Sequence, residues 1–196
     1  MRLGADVSEH QAGFDFTGLD FAVLRTTDGT YTDRAFEQLL HNASPLPIST
    51  YHFLRSPSEG TTVAEQVHAA LSVLDGRRFP MWLDVESPAG LSLDDVSTCA
   101  ALFTSAGVEV AGVYTNAWYW RRHMRTGPGG LRMADPSEFG ALWLADWGDN
   151  PVVDFASSPE LPTEWPHPLG FPQPAMWQFT SRGRVGGVEV DLNLAH

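Results

Sequence analysis

Apolar runs of strand length and apolar stripes at helical spacing alternate along this chain. Eight short apolar runs predict about eight strands. They cover residues 3–7, 21–25, 47–53, 81–85, 108–114, 141–145, 175–179 and 190–193. Apolar positions recur at helical spacing after Ala35, Val63 and Leu93, and this predicts three amphipathic helices. Ser92, followed by Asp95 three positions later, predicts a capping box at the start of the third helix.

The order of these elements favours one fold class. Strands that alternate with helices over the first two thirds of the chain predict a parallel α/β barrel, irregular and TIM-like, with a helix-poor C-terminal third. An open doubly wound sheet is the alternative, since length alone does not exclude it. Residues 157–174 contain six prolines, which disfavour helix and central strand and predict a surface loop. A length of 196 residues fits a single domain covering residues 1–196.

Composition makes several classes of function improbable. The net charge is −12 and all twelve basic residues are arginines, so the clustered cations that bind nucleic acid are not expected. No apolar run approaches the roughly 20 residues that cross a membrane. The first residues lead directly into a strand without a signal peptide, so either a leader has been removed or the protein leaves the cell by another route. We expect a monomer, and we interpret the single cysteine, Cys99, as a buried small hydrophobe.

Polar residues follow several of the predicted strands, which is where a parallel barrel carries its reactive groups. They are Asp6, Tyr51, His52, Asp84, Glu86, Tyr114, Asn116, Asp146 and Gln178, with Asp191 in the last strand. Asp84 and Glu86 are two apart on an extended chain, so their side chains share a face with Cα atoms roughly 6.5–7 Å apart. Each carboxylate opposes ionisation of the other, so one keeps its proton to higher pH.

Such a carboxyl pair is what glycoside hydrolysis requires. One carboxyl donates a proton to the leaving oxygen, and the other stabilises or captures the oxocarbenium-like centre. By itself a D-x-E motif is weak evidence, because solvated acids at strand ends occur in many proteins.

Aromatic residues cluster near the same predicted strand ends. The chain has seven tryptophans, and the aromatics at or just after strand ends are Trp118, Tyr119, Trp120, Trp147 and Trp177. Sugar rings present apolar C–H faces that stack on such rings. Large aromatics also fill the core of a barrel, which is the simpler interpretation for any one of them. As a group they favour a carbohydrate site.

Other chemistries find little support in the sequence. It contains no G-x-S-x-G elbow, no G-x-x-x-x-G-K-[ST] loop and no H-E-x-x-H helix. His10 and His52 fall near the predicted site, but each is better explained as a hydrogen-bonded structural residue. We therefore predict no cofactor and no metal site. A metal-dependent polysaccharide deacetylase that uses Asp84 with these histidines stays a minor alternative.

Eight ordered segments of the chain, taken together, resemble glycoside hydrolase family 25, the bacterial and phage muramidases of the Chalaropsis type. The segments are residues 4–11, 21–29, 51–53, 82–86, 113–116, 142–145, 177–180 and 190–193. They include Trp82-Leu83-Asp84-Val85-Glu86 and Val113-Tyr114-Thr115-Asn116, and they span nearly the whole chain. Their common order is far more specific than any single segment.

The resemblance implies a barrel of about eight strands and five helices. It also implies retaining hydrolysis of the β-1,4 bond between N-acetylmuramic acid and N-acetylglucosamine in bacterial peptidoglycan. By motif position, the acid/base is Glu86, its partner is Asp84, and the further acids of the groove are Asp6 and Asp191. Whether Asp84 attacks the sugar or positions the substrate's 2-acetamido group stays open. The residues expected to line the sugar site are Tyr51, Tyr114, Asn116, Trp118, Asp146, Trp147, Trp177 and Gln178.

The chain departs from the family pattern in three places. The second strand ends in Arg25-Thr26-Thr27-Asp28-Gly29 where Lys-Ala-Thr-Glu-Gly is usual, and Asp146 and Glu189 make the groove more acidic. We expect the protein to act outside the cell or in the cell wall, as a phage endolysin first and as a secreted bacterial lysozyme second. A non-catalytic glycan-binding protein on the same barrel is the other open class, although retention of all four acids argues against it.

Overall fold

The computed structural model describes residues 1–157, 160–170 and 173–196. Pro159 and Pro172 of the predicted proline-rich loop lie outside the described residues. The strands are β1 Arg2–Val7, β2 Phe21–Asp28, β3 Tyr31–Thr32, β4 Ile48–Phe53, β5 Met81–Asp84, β6 Val110–Asn116, β7 Arg125–Thr126, β8 Arg132–Met133, β9 Ala141–Ala145, β10 Val153–Asp154, β11 Met176–Val185 and β12 Val188–Ala195. The α-helices are α1 Phe36–Ala43, α2 Val63–Leu74, α3 Leu93–Ser105 and α4 Ala117–His123.

Eight of these strands close into a barrel. Going around it, the order is β1, β2, β4, β5, β6, β9, β11 and β12, and β12 pairs again with β1. The first seven strands run parallel to one another. The predicted fold class, an irregular TIM-like α/β barrel, is therefore confirmed. The described residues form four α-helices rather than the five that the resemblance implies, and the α-helices end at His123.

The expectation of an all-parallel sheet is wrong at one strand. β12 runs antiparallel to both β11 and β1. The turn between β11 and β12 contains Gly186 and Gly187, both with positive φ, at 59° and 82°. Two such residues form the tight turn that suits a hairpin, so β12 folds directly back on β11 without a crossover helix.

The barrel interior is filled by a cluster of aromatic and aliphatic side chains. Its buried members are Phe21, Val23, Trp82, Tyr114, Trp143, Ala145, Met176 and Ala195. Trp143 lies at the centre, with ring centroids 6.2, 5.8 and 4.5 Å from those of Tyr51, Trp82 and Tyr114. Because this cluster blocks the barrel, polar residues further along the strands lie in a mouth at the carboxyl ends rather than in a pore.

The helices cover the outside of the barrel with their apolar faces. The capping box predicted for α3 is confirmed, since Ser92 and Asp95 exchange hydrogen bonds of 3.2 and 2.8 Å. Thr62 and Glu65 form an equivalent box at the start of α2. Cys99 is buried on the inner face of α3, and burial raises the pKa of its thiol. No helix among the described residues is long and apolar enough to span a membrane.

A loop takes the place of a helix between β9 and β11. The described parts of residues 158–174 contain no helix or strand, as the proline content predicts. Trp165 packs on Trp177 at 5.9 Å between ring centroids and stacks on His196 at 4.2 Å. A cavity of about 990 Å³ lies between this loop and the barrel wall.

Candidate active site

Four carboxylates meet at the mouth of the barrel. Asp6 is near the end of β1, Asp84 ends β5, and Glu86 follows two residues later. The reversed direction of β12 places Asp191 directly opposite Asp6 in the strand register, where Cβ atoms are about 4.5–5.5 Å apart. Asp6 and Asp84 are buried, whereas Glu86 and Asp191 are half-buried. Three separate strands and the segment after β5 thus bring four acids into one cluster.

Two buried amides hold Asp6 in place. Gln178 Nε2 and Asn193 Nδ2 both donate to Asp6 Oδ2, at 3.0 and 2.6 Å. The Gln178 Oε1 atom accepts from the Tyr114 hydroxyl at 3.0 Å and from the Trp147 indole N–H at 2.8 Å. Because an indole N–H can only donate, it fixes which end of the Gln178 amide faces Asp6.

Asp84 and Glu86 both have raised pKa values, for different reasons. Burial, and then the charge of Glu86, raise the pKa of Asp84 well above its ordinary value. Burial also raises the pKa of Glu86, while a 3.4 Å hydrogen bond from Asn116 opposes the rise and Asp6 adds to it. Asp84 Oδ1 is buried and has no hydrogen-bond partner among the described residues. Together, the pair holds a proton to higher pH than an isolated carboxyl would.

The other two acids are also shifted. Burial raises the pKa of Asp6 to about 6, although hydrogen bonds from Asn193 and Gln178 oppose this rise. Burial, and then the charges of Asp6 and Glu86, raise the pKa of Asp191 to about 8. At neutral pH the cluster therefore carries less than its full negative charge, which lowers the repulsion among its members.

The main chain on both sides of Glu86 is fixed by hydrogen bonds. Before it, the Thr115 hydroxyl donates to the Val85 carbonyl at 2.9 Å. After it, the Tyr119 hydroxyl donates to the Ser87 carbonyl at 3.0 Å. Thr115 belongs to β6 and Tyr119 to α4, so the segment that carries Glu86 is tied to the neighbouring strand and helix.

A chain of charged groups continues from Ser87. Its hydroxyl donates to the carboxylate of Glu59 at 2.5 Å. Glu59 also pairs with Arg55 at 3.2 Å, and Arg55 pairs with Asp28 at 2.5 Å. These contacts join residues far apart in sequence and restrict the position of the Glu86 backbone.

Four of the residues predicted to line the sugar site lie against the acids, and they are Tyr51, Tyr114, Asn116 and Gln178. A fifth, Trp147, donates a hydrogen bond to Gln178. Burial and the charge of Asp6 raise the pKa of Tyr51, and burial and the charge of Glu86 raise that of Tyr114. Trp147 is 40% exposed and its indole N–H reaches Gln178, so an aromatic face is available beside the carboxylates.

The other three lie elsewhere. Trp177 is adjacent to Gln178 on β11 and points to the opposite face, where its indole N–H donates to the Asp146 carbonyl at 2.7 Å. Trp177 and Asp146 line the cavity outside the barrel, together with Trp147, so Trp177 lies on the opposite face of β11 from Gln178. Trp118 is 65% exposed on α4, with its ring 5.4 Å from the guanidinium carbon of Arg122.

Asn193 is a site residue that the sequence reasoning missed. Besides donating to Asp6, it accepts a 2.7 Å hydrogen bond at Oδ1 from the Trp143 indole N–H. The available signal was strand periodicity, since Asn193 follows Asp191 by two positions and therefore shares its face.

Arg25 was also missed as a member of the interior. It forms an ion pair with Asp33 at 2.9 Å, and its charge partly offsets the rise in the pKa of Asp84. Its position two residues after the interior residue Val23 on β2 was the signal that could have placed it.

The two histidines near the predicted site have structural positions. His52 is buried, and its Nδ1 lies 2.6 Å from the Thr27 hydroxyl. His10 lies in a short 3-10 helix, Glu9–Gln11. Within residues 1–157, 160–170 and 173–196, no group of three or more His, Cys, Asp or Glu is arranged to hold a metal ion.

Comparisons with known proteins agree with this fold. The family model for glycosyl hydrolases family 25 matches residues 5–188. Lysozyme M1 of Streptomyces globisporus is 30% identical over 211 residues, which cover 97% of this chain and 65% of that protein. This chain therefore spans less than two thirds of the length of that relative.

Solved structures show the same architecture. The crystal structure of the bacterial lysozyme from Streptomyces coelicolor matches with a TM-score of 0.70 and 29% identity, over 100% of this chain and 92% of that one. A muramidase from Trichobolus zukalii matches with a TM-score of 0.70 over 100% of this chain and 94% of that one. Its identity of 21% supports likeness of fold alone.

An α/β barrel with a carboxylate pair at the strand ends is an architecture of glycoside hydrolases. With a family match over nearly its whole length, this chain belongs to glycosyl hydrolases family 25.

The first prediction concerns stability. Asp191 has a pKa of about 8 in the folded protein, against about 3.9 when unfolded. Between these values the folded chain binds more protons than the unfolded chain, so stability falls as pH rises. Asp191→Asn should therefore raise Tm at pH 8 by about 3 °C or more, and change it little at pH 4. The exposed Asp94→Asn is the control. An equal change in Tm at both pH values would contradict the raised pKa of Asp191.

Proposed function

We propose that this chain is a muramidase that cleaves the β-1,4 bond between N-acetylmuramic acid and N-acetylglucosamine in peptidoglycan, with retention of configuration. The observation that carries the proposal is the position of Asp84 and Glu86, two acids with raised pKa values at the strand-end mouth of the barrel. A carboxyl whose pKa is raised by burial keeps a proton that it can donate to the leaving oxygen. Similarity to the lysozymes of Streptomyces globisporus and Streptomyces coelicolor supports this substrate.

Glu86 is assigned as the acid and base. It is less buried than Asp84, so an oxygen of a sugar in the mouth can reach it. Its backbone is tied to β6 and α4, which keeps the carboxyl at a fixed point along the groove. After the leaving group departs, the same carboxylate takes a proton from the attacking water.

Asp84 is assigned as the partner deeper in the mouth, with two candidate roles. As a carboxylate it can attack the anomeric carbon directly. Alternatively, its unpaired Oδ1 can accept the N–H of the substrate's 2-acetamido group and orient that group as the nucleophile. Both routes are double displacements, and both require Asp84 ionised while Glu86 is protonated. In the free protein the charge of Glu86 raises the pKa of Asp84, so the substrate group that contacts Asp84 must stabilise its ionised form.

The remaining acids and aromatics are assigned to sugar binding and electrostatics. Asp6, held by two amides, is a fixed acceptor for a sugar hydroxyl or N–H. The exposed face of Trp147 provides a surface on which a sugar ring can stack. We propose that the enzyme works in the bacterial wall outside the cell, where peptidoglycan is found.

The activity is tested on purified peptidoglycan. We expect Glu86→Gln to lose at least about 100-fold in rate, because the amide keeps the shape but cannot deliver a proton. Mass spectrometry of the wild-type digest should show new reducing ends on muramic acid. The matched control is Glu138→Gln, an exposed glutamate of the 3-10 helix Pro136–Phe139, which should keep full activity. Reducing ends on glucosamine would identify a glucosaminidase instead, and an active Glu86→Gln of normal Tm would exclude Glu86 as the acid.

The stereochemistry tests the role of Asp84. We expect Asp84→Asn to reduce the rate by at least about 100-fold, and the wild-type product to form first as the β anomer. Proton NMR on a soluble glycan, recorded before mutarotation, distinguishes the anomers. An α anomer formed first would indicate an inverting enzyme with a water between the two carboxyls.

A further inference from the structure

Charge is distributed unevenly around the mouth of the barrel. Residues 110–134 contain four of the twelve arginines and no aspartate or glutamate, although the chain carries a net charge of −12. The four are Arg121, Arg122, Arg125 and Arg132, and all are exposed. They lie on α4 and on the short β7–β8 hairpin, and residues 117–133 are called the arginine face below.

The arginine face begins beside the proposed catalytic acid. Asn116 caps α4 by accepting from the Tyr119 N–H at 2.9 Å, and it donates to Glu86 at 3.4 Å. Arg122 follows six residues later, which is roughly 9 Å along the helix axis. Its guanidinium lies over the exposed ring of Trp118. Arg122 is thus separated from the residue that bonds Glu86 by less than two turns of helix, a separation that a peptide-bearing sugar can bridge.

Two of the four guanidinium groups are available for a ligand. Arg121 donates to the Pro168 carbonyl, and Arg125 donates to the Gly130 carbonyl at 2.9 Å, so both are engaged with the main chain. Arg122 and Arg132 form no salt bridge with any residue that the structure describes.

The sector of the outer barrel wall beside β9 and β11 has the opposite charge. The cavity beside β9 and β11 is lined by five carboxylates, those of Asp146, Asp149, Asp154, Glu160 and Glu164. An anionic group attached to the substrate is therefore repelled by that sector and attracted to the arginine face.

We propose that the arginine face binds the free carboxylates of the peptide stems on the muramic acid units of the substrate. This inference rests on the proposed function, which places muramic acid next to Glu86. The stem is joined to the sugar ring whose bond is cut, so its carboxylates are anions close to the reaction. Guanidinium groups bind carboxylates through paired N–H donors, and the Trp118 ring offers apolar surface to the peptide.

The test measures binding without cleavage, in the Glu86→Gln background. Arg122→Gln with Arg132→Gln is compared with Arg182→Gln and Arg184→Gln, two exposed arginines of β11 that match the change in net charge. Each protein is co-sedimented at low salt with insoluble peptidoglycan freed of phosphate polymers. The first pair should weaken binding about three- to tenfold, the effect of two exposed ion pairs. The control pair should change it by less than twofold.

Two further preparations separate the sources of anionic charge. Amidation of the stem carboxylates should remove the difference between the two double variants. The proposal is overturned if the difference in binding between the two double variants survives amidation, or if it appears only when phosphate polymers are retained. It is also overturned if the two double variants bind equally in every preparation. Equal Tm values for the variants show that each is folded. Failure of the proposed function would be recognised separately, because wild-type protein would then release no muramic acid ends.

Discussion

Pairing of β12 with β1 fixes both the closure of the barrel and the chemistry of its mouth. Because β12 runs antiparallel, its register sets Asp191 opposite Asp6. The same strand carries Asn193 to the 2.6 Å hydrogen bond that holds Asp6. A parallel eighth strand would reverse this order and separate these groups. The Gly186–Gly187 turn permits this reversal of chain direction. It therefore also determines that Asp191 and Asn193 reach Asp6.

The site concentrates acids where water is partly excluded, and this arrangement opposes folding. Burial is the largest cause of the raised pKa of Asp6, Asp84, Glu86 and Asp191. The surrounding structure offsets this cost with an apolar plug around Trp143 and with amides that orient Asp6. Raised pKa values and a fixed Glu86 backbone are what general acid catalysis near neutral pH needs. The acids whose burial opposes folding are thus the same groups that the proposed function uses.

Local patterns were sufficient to predict much of this structure. Apolar runs located the barrel strands and therefore the strand-end positions of Asp84 and Glu86, and capping chemistry located the start of α3. Tertiary features were not predictable in that way. The bond between Ser87 and Glu59 joins residues 28 positions apart, and the sequence contains no local signal for it. The face on which Trp177 lies depends on strand parity in β11, and its aromatic character alone does not indicate that face.

The central claim is that Glu86 keeps its proton to unusually high pH because it is buried next to other acids. Carbon-13 NMR of side-chain carboxyl groups measures this directly, with the Glu86 signal assigned by its loss in Glu86→Gln. The account predicts a titration midpoint clearly above the unperturbed glutamate value of about 4.3, and a second step shared with Asp84. A single step for Glu86 near that unperturbed value in the folded protein would contradict it.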